Sequence, residues 1–240
     1  YSVPPWPVTN KRQFFDWLKA FFAQYLAEEN DLKDLLGRDI EDQDEQVDAL
    51  MDAIESDDRI QRMFQEWLSQ PSVFNFVSGV QGFYDNGGGK CYVYLMGMKD
   101  LGGSVRGDGG SKVGLHAFDD CDDMSLHVAP GLQAHQQKEM LEHCEIRKDR
   151  FAILDGPAVS MGDMPIPASE KGYGALYVPW VKVTRPSWYV GDQDLEIKGP
   201  IKRKLHRTEK HEVYAPPSGH VAGVISRVDN ARGVHKAPAN

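Results

Sequence analysis

The chain has 240 residues, enough to bury a full-sized core as one large domain or two small ones. Hydrophobic residues make up 41% and charged residues 26%, the proportions of an ordinary globular protein, and the net charge is −9. No apolar run nears the ~20 residues of a membrane span, and no secretory signal pattern opens the chain, so direct membrane insertion is not expected.

Three cysteines, Cys91, Cys121 and Cys144, lack CxxC or Cys/His ligand spacing and suit a reducing compartment. The acidity is concentrated: Glu28 to Glu66 holds 15 acidic and 4 basic residues, against 21 and 23 in the remainder. A nucleic-acid partner would need an extended basic patch. The one candidate, IKRKLHR (Ile201–Arg207), is short and lacks interleaved aromatics, and it reads as a solvated loop or edge strand. The chain starts at Tyr1 and stops at KAPAN, and is read as a fragment.

Phe14, Phe15, Leu18, Phe21, Phe22 and Tyr25 recur at three and four, which predicts a helix capped by Thr9 or Asn10. Val47, Leu50, Met51 and Ile54 form a second stripe, and Ile60, Met63, Phe64, Trp67 and Leu68 a third. Ser56 and Asp57 are the caps between them. Pro71 breaks the run, and Ser72 is expected to cap a further helix carrying Val73, Phe76, Val77, Val80, Phe83 and Tyr84. The stretch DNGGGKCYVYL (Asp85–Leu95) has the look of a phosphate loop, but its order is helix, glycine turn, strand. Phosphate is held where a strand and loop lead into a helix N-terminus, so a turn is predicted here and no nucleotide site.

Beyond it, LGGSVRGDGGSK (Leu101–Lys112) reads as a flexible loop, MSLHVAPG (Met124–Gly131) as a strand and Gln133–Arg147 as a helix. FAILDGP (Phe151–Pro157) reads as a second strand. ALYVPWVKV (Ala175–Val183) reads as a third, broken by Pro179. This alternation predicts an α/β fold: a layered, largely parallel sheet with helices on both faces. It divides into an α/β core (1–26 and 71–240) and an acidic helical insertion (27–70). The insertion's charged face carries Asp48, Asp52, Glu55, Asp58 and Glu66, and must meet solvent or a basic partner.

No constellation announces chemistry. His135, Glu139 and His143 share a helix face, but the outer pair is too far apart for one ion, so a polar solvent face and no metal site are expected. AVSMG (Ala158–Gly162) resembles a serine elbow around Ser160 but lacks its first glycine. DDCDD (Asp119–Asp123) lacks the spaced oxygens of a calcium loop and reads as a loop or cap.

Several segments, in order, resemble the sheath subunits of contractile phage tails and related injection systems. These are PVTNKRQFFDWL (Pro7–Leu18), FVSGVQGFYDNGGGKCYVYL (Phe76–Leu95), MSLHVAPG, HCEIRKDRFAILDGP (His143–Pro157), YVPWVKV (Tyr177–Val183) and, most specifically, APPSGHVAGVISRVDNARGVHKAPAN (Ala215–Asn240). The resemblance implies an α/β domain laid out like subtilisin without catalytic residues or cofactors, stacking helically with copies of itself around an inner tube. It also implies contact with sheath paralogues and with baseplate or cap proteins. Assembly would occur in the cytoplasm, within a phage tail or tail-like particle. The family's terminal arms are not in this sequence. The segment 27–70 is longer than usual and is expected to decorate the outside of the particle, dispensable for assembly. The alternative is a degenerate serine-hydrolase-like enzyme using Ser160 or Ser218 with His220.

Overall fold

The structure, a computed structural model, describes residues 5–30, 32–95, 104–158, 168–190, 194–196, 204–206, 208–209 and 212–237. Ser160 therefore lies outside the described residues. A short strand, β1 (Trp6–Val8), leads into α1 (Lys11–Glu29). Asn10 rather than Thr9 supplies the cap: its side chain accepts from the Gln13 N–H at 2.9 Å, and Gln13 accepts in turn from the Thr9 N–H. Phe14, Leu18, Phe22 and Leu26 are buried along one face, as their spacing requires. A five-residue helix, α2 (Leu32–Leu36), follows, too short to leave a periodic signal.

The acidic stretch forms α3 (Gln43–Ser56) and α4 (Asp58–Leu68), and Asp57 serves both. It closes α3, and its carboxylate accepts from the Arg59 and Ile60 N–H groups at the start of α4. Ser56 instead donates back to Asp52 O. Replacing Asp57 with alanine is expected to lower stability by about 1–2 kcal/mol in urea denaturation, because two donors at a helix start lose their acceptor. α5 (Pro71–Asp85) begins two residues earlier than predicted, with Gln70 rather than Ser72 at the cap position. Pro71, with its preset φ, occupies the first turn behind Gln70, which leaves Ser72 inside the helix and its hydroxyl buried without a hydrogen bond.

These helices share one core. Phe14, Leu18 and Phe22 of α1 pack with Leu50 and Ile54 of α3, Ile60, Phe64 and Trp67 of α4, and Val73 and Val77 of α5. The Phe22 ring lies 5.2 Å from both Phe64 and Trp67. Asp48, Asp52, Glu55, Asp58 and Glu66 are exposed, as expected. The apolar faces of α3 and α4 thus cover the buried face of α1, which removal of 27–70 would expose.

After the turn at Gly87, whose φ of +91° suits glycine, β2 (Cys91–Val93) pairs antiparallel with β1. A 3-10 helix (Gly114–Phe118) then precedes β3 (Leu126–Val128), α6 (Ala134–Arg147), β4 (Phe151–Asp155) and β5 (Gly174–Tyr177). The three strands form a parallel sheet in the order β3-β4-β5. Ala152 and Leu154 of β4 pack with Met140, Leu141 and Cys144 of α6. Asp155, on the opposite face by strand alternation, meets the start of α7 (Ser218–Arg232). Helices thus cover both faces of the central strand.

Other expectations are corrected. The break expected at Pro179 is present, but the pieces on either side, β5 and β6 (Val181–Thr184), belong to different sheets and do not form one strand. Among the described residues the parallel arrangement holds only for β3-β4-β5. β6 pairs antiparallel with β10 (Glu212–Ala215), which pairs with β9 (Thr208–Glu209), and β7 (Asp194–Glu196) pairs antiparallel with β8 (Lys204–His206). The fold is therefore a mixture of helices and small sheets within the α/β class.

Candidate functional site

The polar centre of the fold lies at the C-terminal end of β4, where Asp155 is 5% exposed. Its Oδ1 accepts from the Ser218 N–H at 2.8 Å. Its Oδ2 accepts from the Ser218 hydroxyl at 2.7 Å and from the Gly131 N–H at 2.9 Å. The Asp155 carbonyl accepts from the Gln137 side chain at 2.7 Å. A buried carboxylate costs several kcal/mol unless its lone pairs are filled, and here three donors fill them. Burial pushes the Asp155 pKa up, while the donors from Gly131 and Ser218 pull it back down. One residue thereby ties β4 to the turn after β3 and to the first turn of α7.

Directly above this joint, α7 crosses α5 at backbone distance. A Cβ on Gly219 would lie 2.5 Å from Gly79 Cα, and one on Gly82 would lie 2.6 Å from the His220 ring. Gly223 faces the Phe83 carbonyl in the same way. Gly82 on α5 and Gly219 and Gly223 on α7 thus lack the side chains that would hold the helices apart, and Gly79 offers bare backbone to Gly219.

The serine of the hydrolase alternative is committed elsewhere. Ser218 is fully buried and its hydroxyl donates to Asp155 Oδ2. His220 faces α5: the Asn86 amide donates to its Nδ1 at 3.3 Å, which leaves the ring proton on Nε2. Burial lowers the pKa of His220. A nucleophile would need that imidazole as its base, and neither ring nitrogen is directed to Ser218.

The shared helix face of His135, Glu139 and His143 does not behave as one surface. His135 is exposed. Glu139 Oε2 accepts from the Ser104 hydroxyl and from the Val105 and Arg106 N–H groups, all within 3.1 Å. This clamp fastens Ser104–Arg106, within the stretch read as a loop, to α6. His143 is buried, against the solvent face expected, beside His116 and Asp119.

His116 Nδ1 lies 2.8 Å from Asp119 Oδ2, and His143 Nε2 lies 3.4 Å from Asp119 Oδ1. Burial lowers the pKa of His143 to about 4 and that of neighbouring His127 to about 3, so both rings are neutral at pH 7. Spacing within α6 could not reveal this group, because two of its three members come from another element. DDCDD is indeed a loop following the 3-10 helix, and its acids meet Arg147, Lys112, Lys90 and Tyr92.

Comparison with solved structures finds likenesses to contractile sheath assemblies. The chain is 23% identical to a chain of the anti-feeding prophage helical sheath in its contracted state, covering 68% of this chain and 38% of that one, with a TM-score of 0.45. It is 24% identical to a chain of the contracted PVC sheath complex of an extracellular contractile injection system, covering 69% and 36%, with a TM-score of 0.42. A chain of the anti-feeding prophage baseplate gives 23%, 68% and 37%, with a TM-score of 0.43. The chain thus spans little more than a third of the length of these chains. No family model matches it, and no curated protein matches it.

Proposed function

We propose that the chain is part of a structural subunit of a contractile tail sheath. The subunit polymerises helically around an inner tube and contracts to drive that tube through a target envelope. The observation that carries this reading is the joint at Asp155. Three of the segments that resemble the sheath family are Phe76–Leu95, His143–Pro157 and Ala215–Asn240. These same segments supply the glycine crossing of α5 on α7 and the Asp155–Ser218 pair. Stretches that resemble a family because they build a common scaffold should touch one another, whereas unrelated lookalikes have no reason to.

In this reading the core, 1–26 and 71–240, has a subtilisin-like layout without catalytic residues. The hydroxyl of Ser218 serves as a structural donor to Asp155, which supports a scaffold over an enzyme. Residues 27–70 are an acidic helical insertion whose apolar faces complete the core and whose carboxylates point away from the particle. Partners are further copies of the subunit, the inner tube, sheath paralogues, and baseplate or cap proteins. The subunit assembles in the cytoplasm and ends in a tail or tail-like particle.

Electron microscopy tests this directly. The full-length protein, expressed with its tube protein, is expected to form hollow helical cylinders, and Ser218→Ala is expected to weaken folding without touching any turnover. A protein that stays dispersed and hydrolyses ester or peptide substrates, losing that activity in Ser218→Ala, would sink the proposal.

A further inference from the structure

We infer that His116, Asp119 and His143 form a site for one divalent transition-metal ion of the zinc type. The ion would pin the 3-10 helix and the turn after it to α6. Two imidazoles and a carboxylate each offer one donor atom here, and the three atoms lie within 4.8 Å of one another. A tetrahedral zinc site, with bonds of about 2.0–2.2 Å, holds its donors about 3.3 Å apart. The His143–Asp119 separation of 3.4 Å already matches, His116 lies within 4.8 Å of both, and binding the ion would replace its hydrogen bond to Asp119 Oδ2.

A second observation points to a missing ligand. His143 is 6% exposed, yet neither of its ring nitrogens has a hydrogen-bond partner. A neutral imidazole carries one N–H and one lone pair, and burying both unmet is costly. An ion on Nε2 would take up the lone pair. The donor set selects the metal: imidazole suits zinc, cobalt and nickel, whereas magnesium and calcium prefer oxygen donors. With three protein ligands the fourth position falls to water, which reaches the site through the partly exposed His116 and Asp119.

Arg147 is the competitor. Its Nη1 lies 3.1 Å from Asp119 Oδ1, but its Nε and Nη2 also hold Asp149. The guanidinium therefore keeps an anchor when Asp119 turns to the ion, and its charge moderates the affinity rather than closing the site. His135 and Glu139, the residues that share the helix face with His143, take no part. One is exposed and the other holds the backbone at 104–106. The ion would add a second fastening one turn along α6 from that clamp.

The test is calorimetric titration of the untagged full chain, stripped with EDTA, with Zn²⁺ alone, followed by Co²⁺ substitution read by visible absorption. Wild type is expected to take up one zinc per chain and to give the spectrum of a four-coordinate cobalt site. His116→Gln and Asp119→Asn, both at partly exposed positions and chosen to leave the fold intact, are each expected to weaken uptake by about tenfold or more. His135→Ala should bind as wild type does. No uptake by wild type, or uptake that survives both His116→Gln and Asp119→Asn, overturns the assignment, as does equal loss in His135→Ala.

Discussion

Replacing Gly219 with alanine is expected to lower folding stability by about 3 kcal/mol, near the upper end for overpacking by a single methyl. The reason is what the new Cβ would meet. It would lie 2.5 Å from both the Cα and the carbonyl carbon of Gly79, and closer still to the Gly79 oxygen. Side chains can rotate away from such a clash, but a helix backbone cannot, so α7 and α5 would have to separate. Separation would open the contacts of the buried Ala222 and pull on Ser218, the next residue, and so on its bonds to Asp155. Urea denaturation should show a lower midpoint for Gly219→Ala. Gly89→Ala serves as the control, since its Cβ would meet nothing within 4 Å, and it should leave the midpoint nearly unchanged. An unchanged midpoint in Gly219→Ala would refute the close crossing.

Asp155→Ala should cost still more, about 3–5 kcal/mol. It leaves three donors without an acceptor, the Gly131 N–H, the Ser218 N–H and the Ser218 hydroxyl, and each buried orphan costs about 1–3 kcal/mol less whatever relaxation recovers. Asp155→Asn should be milder, about 1–2 kcal/mol. The amide oxygen still accepts from the Ser218 N–H and the amide nitrogen can donate to the Ser218 oxygen, so the Gly131 N–H is stranded while the Ser218 hydroxyl proton must turn to another acceptor. Ser218→Ala removes one donor and leaves Asp155 with its two backbone partners, which places it between wild type and Asp155→Ala. Guanidinium denaturation at pH 7 would read this ordering. Hydrogen exchange should find the first turn of α7 opening earliest in Asp155→Ala. If Asp155→Ala were no less stable than Ser218→Ala, the carboxylate would not be the joint described above.

Much of the helical half was legible in advance, because its signals are local. Apolar spacing gave α1, α3, α4 and α5, and the order of helix, glycine turn and strand at Asp85–Leu95 was enough to dismiss a phosphate site. Asp57 could be named as a cap from its position between two stripes. The strands were harder. Pro179 divides a run of β-forming residues between two sheets, and nothing within that run says which partner each piece will find. The joint itself was out of reach of pattern reading: Asp155 and Ser218 are 63 residues apart, and each looks like an ordinary loop or cap residue alone. His143 misled for the same reason. Its helical neighbours suggested a solvent face, while its true neighbours, His116 and Asp119, come from the short 3-10 helix and the residue that closes it, which leave no periodic signal.

The crossing of α5 and α7 also has a mechanical meaning. Two helices held apart by long side chains can slide, because rotamers exchange as the load rises. Here Gly219 and Gly223 bring main chain against main chain, and that part of the seam has no rotamers to exchange. Force applied to either helix passes to the other without slack, and through Ser218 and Asp155 into the central strand. The pair and that strand form a stiff strut, so any large deformation of the chain is expected outside them, with this interior carried along unchanged.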